Sequence, residues 1–163
     1  HGDVRCLRHS ASKRDDRREM SPLVREYEVP GDDFARAGEA SGHIKSILKE
    51  LGFAPAMIRR VAITTYEAEI NMVIHAGGGH VTATITPDAV KVVFTDHGPG
   101  IPNVKLAMQA GWSTAPQNIR ALGFGAGMGL PNIKKYSDDF DIQTEVGKGT
   151  VLSITVYAGK ESS

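Results

Sequence analysis

Two pairs of short alternating segments, each closed by a tight turn, constrain this chain more than any other feature. The first pair is HVTATITP (80–87) with AVKVVFTD (89–96), turning near Pro87 and Asp88. The second is FDIQTEV (140–146) with GTVLSITVYA (149–158), turning at GKG. Adjacent alternating runs with so little chain between them favour antiparallel pairing. A further alternating run, LVREYEV (23–29), stands upstream and is broken by PGD. Between it and the first pair lie two stretches with helical apolar spacing. One is DFARAGEASGHIKSILKELG, with Gly52 as its stop signal. The other runs from about Pro55 to His75, opened by proline and closed by Gly77–Gly79. Short helices are expected over about 104–110 and 130–136, on either side of a glycine-rich segment. The order strand, helix, helix, strand, strand, helix, helix, strand, strand predicts a two-layer α/β sandwich of the α+β class. Its sheet is mixed but largely antiparallel, with helices on one face.

The length, 163 residues, suits one domain with a real core. Residues 1–19, HGDVRCLRHSASKRDDRRE, are crowded with charge and have no apolar period. They are expected to be a disordered or cloning-derived extension, with Met20 a natural start and 20–163 the folded domain. Nineteen basic and nineteen acidic residues cancel, so no global field draws the chain to nucleic acid or an anionic membrane. Protein or small-molecule partners are the expectation. The lone Cys6 permits no internal disulfide, and no apolar run reaches the roughly 18 residues of a membrane span. The chain reads as a cytoplasmic protein.

Three stretches carry chemistry. In TDHGPGIPN, Asp96 ends a strand and is therefore carried to the edge of the core, where a carboxylate must accept hydrogen bonds. Gly98 and Gly100 remove side chains beside it, so a flat ligand or another backbone can approach. A planar ligand with an exocyclic amine, such as adenine, suits this arrangement; so does a plain β-turn. In YEAEINMVIHAGGG, Glu67 and Asn71 lie four apart on one helix face, while Glu69 lies about 200° from Glu67 and points elsewhere. Val61, Ala62, Tyr66, Ile70, Val73 and Ile74 form the face expected to pack. An amide oxygen stacked with a carboxylate could serve Mg²⁺ and a proton acceptor. In GFGAGMGLPNIKK, glycines at 123, 125, 127 and 129 run into a helix. Their freed N–H groups and the helix N-terminus suit an anion such as phosphate. The pattern fits neither a Walker A loop nor a Rossmann loop.

Glu-x-x-x-Asn on a helix, Asp-x-Gly-x-Gly after a strand, a glycine-rich lid before a helix and a late GKGT together resemble the four boxes of the GHKL ATPase family, the Bergerat ATP-binding fold. The resemblance runs from about Leu23 to Ala158. The compact length and GAGMGLPNIKKYSDDF are most similar to the small serine/threonine kinases of the anti-sigma group. The resemblance implies ATP or ADP with Mg²⁺ as ligands, Asn71 as the Mg²⁺ residue and Glu67 as general base. It implies Asp96 at adenine with Gly98 and Gly100 beside it, and Thr150 of the last box nearby. Gly125, Gly127 and Gly129 would meet the phosphates, and Lys105 and Arg120 are candidates for the γ-phosphate. Compared with the family's shorter GAGLP, the lid carries an extra Met128–Gly129 pair. The implied acceptor is a small STAS-domain antagonist protein. A sigma factor or a phosphatase is a further possible partner, and homodimers are common in the group. Two other readings stay open: a non-catalytic ATP/ADP-gated binding switch and a detached histidine-kinase catalytic domain. His43 and His75 lie within the domain's own helices, without the heptad setting of a phosphoacceptor, and His75 is expected to cap a helix end. Trp112 is read as an anchor for the lid.

Overall fold

Alternation along each strand sends one set of side chains towards the helices and the other set away. In the computed structural model, which describes residues 21–31, 33–109 and 129–159, this produces a five-stranded sheet. The strands are β1 (Leu23–Pro30), β2 (Gly78–Ile85), β3 (Ala89–Asp96), β4 (Asp139–Glu145) and β5 (Gly149–Tyr157), in the spatial order β1-β2-β3-β5-β4. All four pairings between them are antiparallel, so the mixed character expected from the sequence is absent among the described strands. Both hairpins turn where the sequence places them: Thr86 N–H donates to the Ala89 carbonyl around Pro87–Asp88, and Lys148 N–H to the Glu145 carbonyl.

The helices are α1 (Glu39–Glu50), α2 (Pro55–Ala76), α3 (Val104–Ala107) and α4 (Gly129–Tyr136). Val81, Ala83, Val92, Phe94 and Ile154 of the sheet and Ile44, Leu48, Val61, Val73 and Ile133 of the helices form one buried core. Pro55 opens α2 at its first turn and Gly77, at φ 71°, ends it.

Two expectations need correction. The first helical stretch is not one helix. A short 3-10 turn at Phe34–Arg36 precedes a break at Gly38, whose φ of 99° suits glycine, and α1 starts only at Glu39. On α2, Tyr66 does not pack inside: it is 41% exposed. Its ring lies over Gly38, where an added Cβ would stand 3.1 Å from Cε2. The helix is held on more than one side, by α1, the sheet and α4. Its buried surface is therefore broader than one apolar stripe and includes Thr64 and Thr65. Their hydroxyls donate to carbonyls one turn back, at Arg60 and Val61, which satisfies them in the core.

Candidate functional site: two clusters joined by a long helix

The first cluster forms where α2 meets the first turn of α4. Glu67 and Asn71 stand one helical turn apart, about 6 Å along the axis, and both are half-buried. Gly129 opens α4 directly against Asn71: a Cβ there would lie 2.7 Å from Asn71 Nδ2 and 2.9 Å from Oδ1. Only a residue without a side chain lets the helix N-terminus come this close to the amide. Burial pushes the Glu67 carboxyl above its ordinary value, and a side-chain hydrogen bond from Asn132 pulls against that shift.

The second cluster lies at the end of the sheet. Asp96 Oδ1 accepts from Gly98 N–H at 2.9 Å and from Thr150 N–H at 3.3 Å. These bonds hold the half-buried carboxylate in one orientation, and among the described residues no bond engages Oδ2. Thr150 is paired with Asp96 across β3 and β5 and with Thr144 across β4 and β5. Its hydroxyl is 2.9 Å from that of Thr144, which in turn accepts from Ile101 N–H at 2.9 Å. Gly149, at φ 130°, supports the same corner, since a Cβ there would meet the Asp96 carbonyl oxygen at 2.1 Å.

Gly98 and Gly100 answer the choice between ligand and backbone in favour of backbone at their own side-chain positions. A Cβ on Gly98 would meet Ala76 Cα at 2.7 Å, and one on Gly100 the Glu145 carbonyl at 2.5 Å. The first of these contacts fastens the Asp96 loop to the C-terminal end of α2. Asn71 lies about 7.5 Å up the helix from there. The two clusters are thus positioned by a single helix.

Of the residues the sequence singled out, Glu67, Asn71 and Gly129 come together, as do Asp96, Gly98, Gly100 and Thr150. Lys105 sits exposed on α3 and makes no hydrogen bond or ion pair among the described residues. Gly125, Gly127, Arg120, Trp112 and Met128 lie outside the described residues, as do residues 1–20. His75 occupies the last turn of α2. Sequence reasoning passed over Asn132 and Thr144, read Gly149 only as part of the GKG turn and the last box, and gave Glu69 a direction but no role. Asn132 could have been found as the polar residue one helical turn beyond Gly129. Glu69 could have been found as a charge on the core-facing side of α2; it is 2% exposed and accepts from Gly38, Ala40 and Ser41 N–H groups at the start of α1.

Comparison with known proteins shows the family. The family described as the histidine kinase-like ATPase domain matches residues 32–156, which contain both clusters. The serine/threonine-protein kinase RsbT of Bacillus subtilis (strain 168) is 31% identical over 112 residues, 66% of this chain and 78% of that protein. The anti-sigma F factor of Caldanaerobacter subterraneus subsp. tengcongensis is 31% identical over 99 residues, 58% of this chain and 66% of its own length. That of Heyndrickxia coagulans is 32% identical over 95 residues, 54% of this chain and 61% of its length. The chain thus spans just under two thirds of these anti-sigma factors. No helix among the described residues is long and apolar enough to cross a membrane. The carboxylate-amide pair on α2, the Asp96 corner and the match over 32–156 lead to one assignment: the chain belongs to the histidine kinase-like ATPase family, with a serine/threonine-protein kinase and anti-sigma F factors among its relatives.

Proposed function

We propose that the domain is an ATP-dependent serine/threonine kinase of the anti-sigma regulatory group, acting in the cytoplasm on a small STAS-domain antagonist protein. The observation that carries this reading is the half-buried Glu67, its carboxyl raised by burial, one turn from Asn71, with both residues against the N-terminal turn of α4. Adenine is read by Asp96, whose Oδ2 accepts from an exocyclic amine while Oδ1 stays tied to the backbone; Thr150 lies beside it. The phosphates lie towards the start of α4, where Gly129 and, upstream, Gly125 and Gly127 offer N–H groups. Lys105 and Arg120 are the cations proposed for the γ-phosphate.

The residues present fit Mg²⁺. The Asn71 amide supplies a hard oxygen at the cluster, and Mg²⁺ needs few protein ligands because it keeps waters and substrate phosphate oxygens. When bound, it neutralises charge that develops on the transferring phosphoryl group. Glu67 accepts the proton of the acceptor hydroxyl, a task suited to a carboxyl raised by burial. The same face that presents Glu67 to an acceptor protein is the proposed surface for a sigma factor or a phosphatase in a nucleotide-dependent complex.

The test uses γ-labelled Mg-ATP and lysate from the source organism, with Glu67→Gln as control. Acid-stable label on a small protein, lost with the control, is the expected result. Labelling undiminished in Glu67→Gln would remove the base assignment. Nucleotide-dependent capture of a protein without labelling would replace phosphoryl transfer by a binding switch.

A further inference from the structure

Helices α2 and α4 run antiparallel and touch in an ordered series. Gly129 lies against Asn71, Asn132 bonds the Glu67 carboxylate, and the Tyr136 carbonyl accepts from Arg60 Nε at 3.0 Å. Each step of three or four residues along α4 is met by a step in the opposite direction along α2. This places residues 129, 132 and 136 on one α4 face. Ile133, fully buried, fixes the rotation of α4 from the adjoining side. The far end is fastened by the Arg60–Asp138 ion pair at 2.8 Å, with both side chains mostly buried. The backbone of α4 at Asn132 is therefore held towards Glu67 by Ile133 and the Arg60 contacts.

We propose that Asn132 is a positioning residue for the kinase reaction: it orients the Glu67 carboxylate and holds it as the proton acceptor. The proposal rests on the reading of Glu67 as the general base. An asparagine amide donates only through Nδ2, and a carboxylate accepts best when ionised, so the bond favours the charged form without bringing another charge near the phosphates. It occupies one of the carboxylate's roughly four lone-pair directions and leaves the others for a substrate hydroxyl. Burial acts in the opposite direction on the same group. Of the charged residues near this seam, Arg60 is spent on Asp138 and Tyr136, while Lys134 and Lys135 stand exposed in the last turn of α4. The helix that offers its N-terminus to the phosphates thus also carries the group that sets the base. Seating of the phosphates and orientation of the base are coupled through one rigid element.

The experiment compares the full chain with Asn132→Leu, which keeps the branched shape and removes the donor, and with Asn132→Ala as a second variant in case the bulkier leucine perturbs packing. The Glu67 carboxyl is titrated by carbon NMR without nucleotide, and the pH dependence of acceptor labelling and nucleotide affinity are measured alongside. The expected result is an upward movement of the Glu67 titration in both variants. The acid limb of transfer should move the same way, with transfer about tenfold slower on the acid side, recovery towards wild type at alkaline pH, and little change in nucleotide affinity. A Glu67 titration that stays in place or moves down in a folded variant overturns the proposal. Wild-type protein that labels no acceptor at any pH would instead sink the kinase reading, and the NMR titration would still decide whether Asn132 holds the carboxylate.

Discussion

Glu67 and Glu69 are two residues apart on the same helix and end in opposite circumstances. Glu69 faces the core and is 2% exposed, yet three backbone N–H groups at the N-terminus of α1 donate to it. Those donors are fixed by the fold, so the carboxylate is a structural clamp that replaces the side-chain cap Gly38 cannot provide. Glu67 faces α4, is only half-buried, and has one side-chain donor in Asn132. A buried carboxylate saturated with backbone donors holds structure. One that is partly desolvated and under-supplied with donors remains ready to take a proton.

The sharpest way to break this contrast is to remove each carboxylate in turn. Glu67→Gln should lower acceptor labelling by at least about a hundredfold while nucleotide affinity, read by calorimetry, changes little. Glu69→Ala should leave two buried N–H groups, of Ala40 and Ser41, and the part-buried one of Gly38 without their acceptor. We expect a loss of about 3 kcal/mol in urea unfolding, with the α1 end of the molecule loosening first in amide exchange. If Glu69→Ala unfolds like wild type, the clamp reading fails.

A smaller effect is expected at the seam with α4. Gly129→Ala would drive a methyl group into the Asn71 amide. Mg-nucleotide affinity should fall about tenfold, a change of about 1.4 kcal/mol, and unchanged affinity would separate Asn71 from the nucleotide. The smallest effect concerns pH. Because burial raises the Glu67 carboxyl, the folded protein holds that proton more tightly than the unfolded chain does. The stability this contributes is fully present below the ordinary carboxylate range and is lost as pH rises through the raised value. Glu67→Gln, which carries no such proton, should therefore gain on wild type between acid and neutral pH. Solvent screening at this half-exposed site keeps the gain below about 1 kcal/mol, and paired urea titrations across that range would detect it. A constant difference would mean that Glu67 is not strained by burial.

Much of this was legible along the chain because it depends on neighbours in sequence. Alternation marked the strands, and proline and glycine marked the ends of α2. A spacing of four put Glu67 and Asn71 on one side, and a spacing of two sent Glu69 away from them. Where Glu69 goes could not be read, since its donors lie 28 to 31 residues upstream and exist only once Gly38 breaks the first helical stretch. Tyr66 illustrates the same limit: helical spacing called it apolar-facing, but a helix with several neighbours does not bury one stripe. Gly98 and Gly100 were legible as positions of close approach. That the approaching groups belong to Ala76 and Glu145 was not.

The sequence by itself determined the strands, the long helix α2, the antiparallel hairpins and the chemical inventory of the site, because these follow from local periodicity, turn residues and side-chain type. Only the tertiary structure decided that α4 lies antiparallel on α2 with Asn132 at Glu67, that Asp96 is steadied by Thr150 N–H, and that one glutamate clamps a helix while its near neighbour stays available. The physical reason is that a carboxylate's role is set by how many donors surround it and how much water remains. Both are properties of segments brought together from distant parts of the chain.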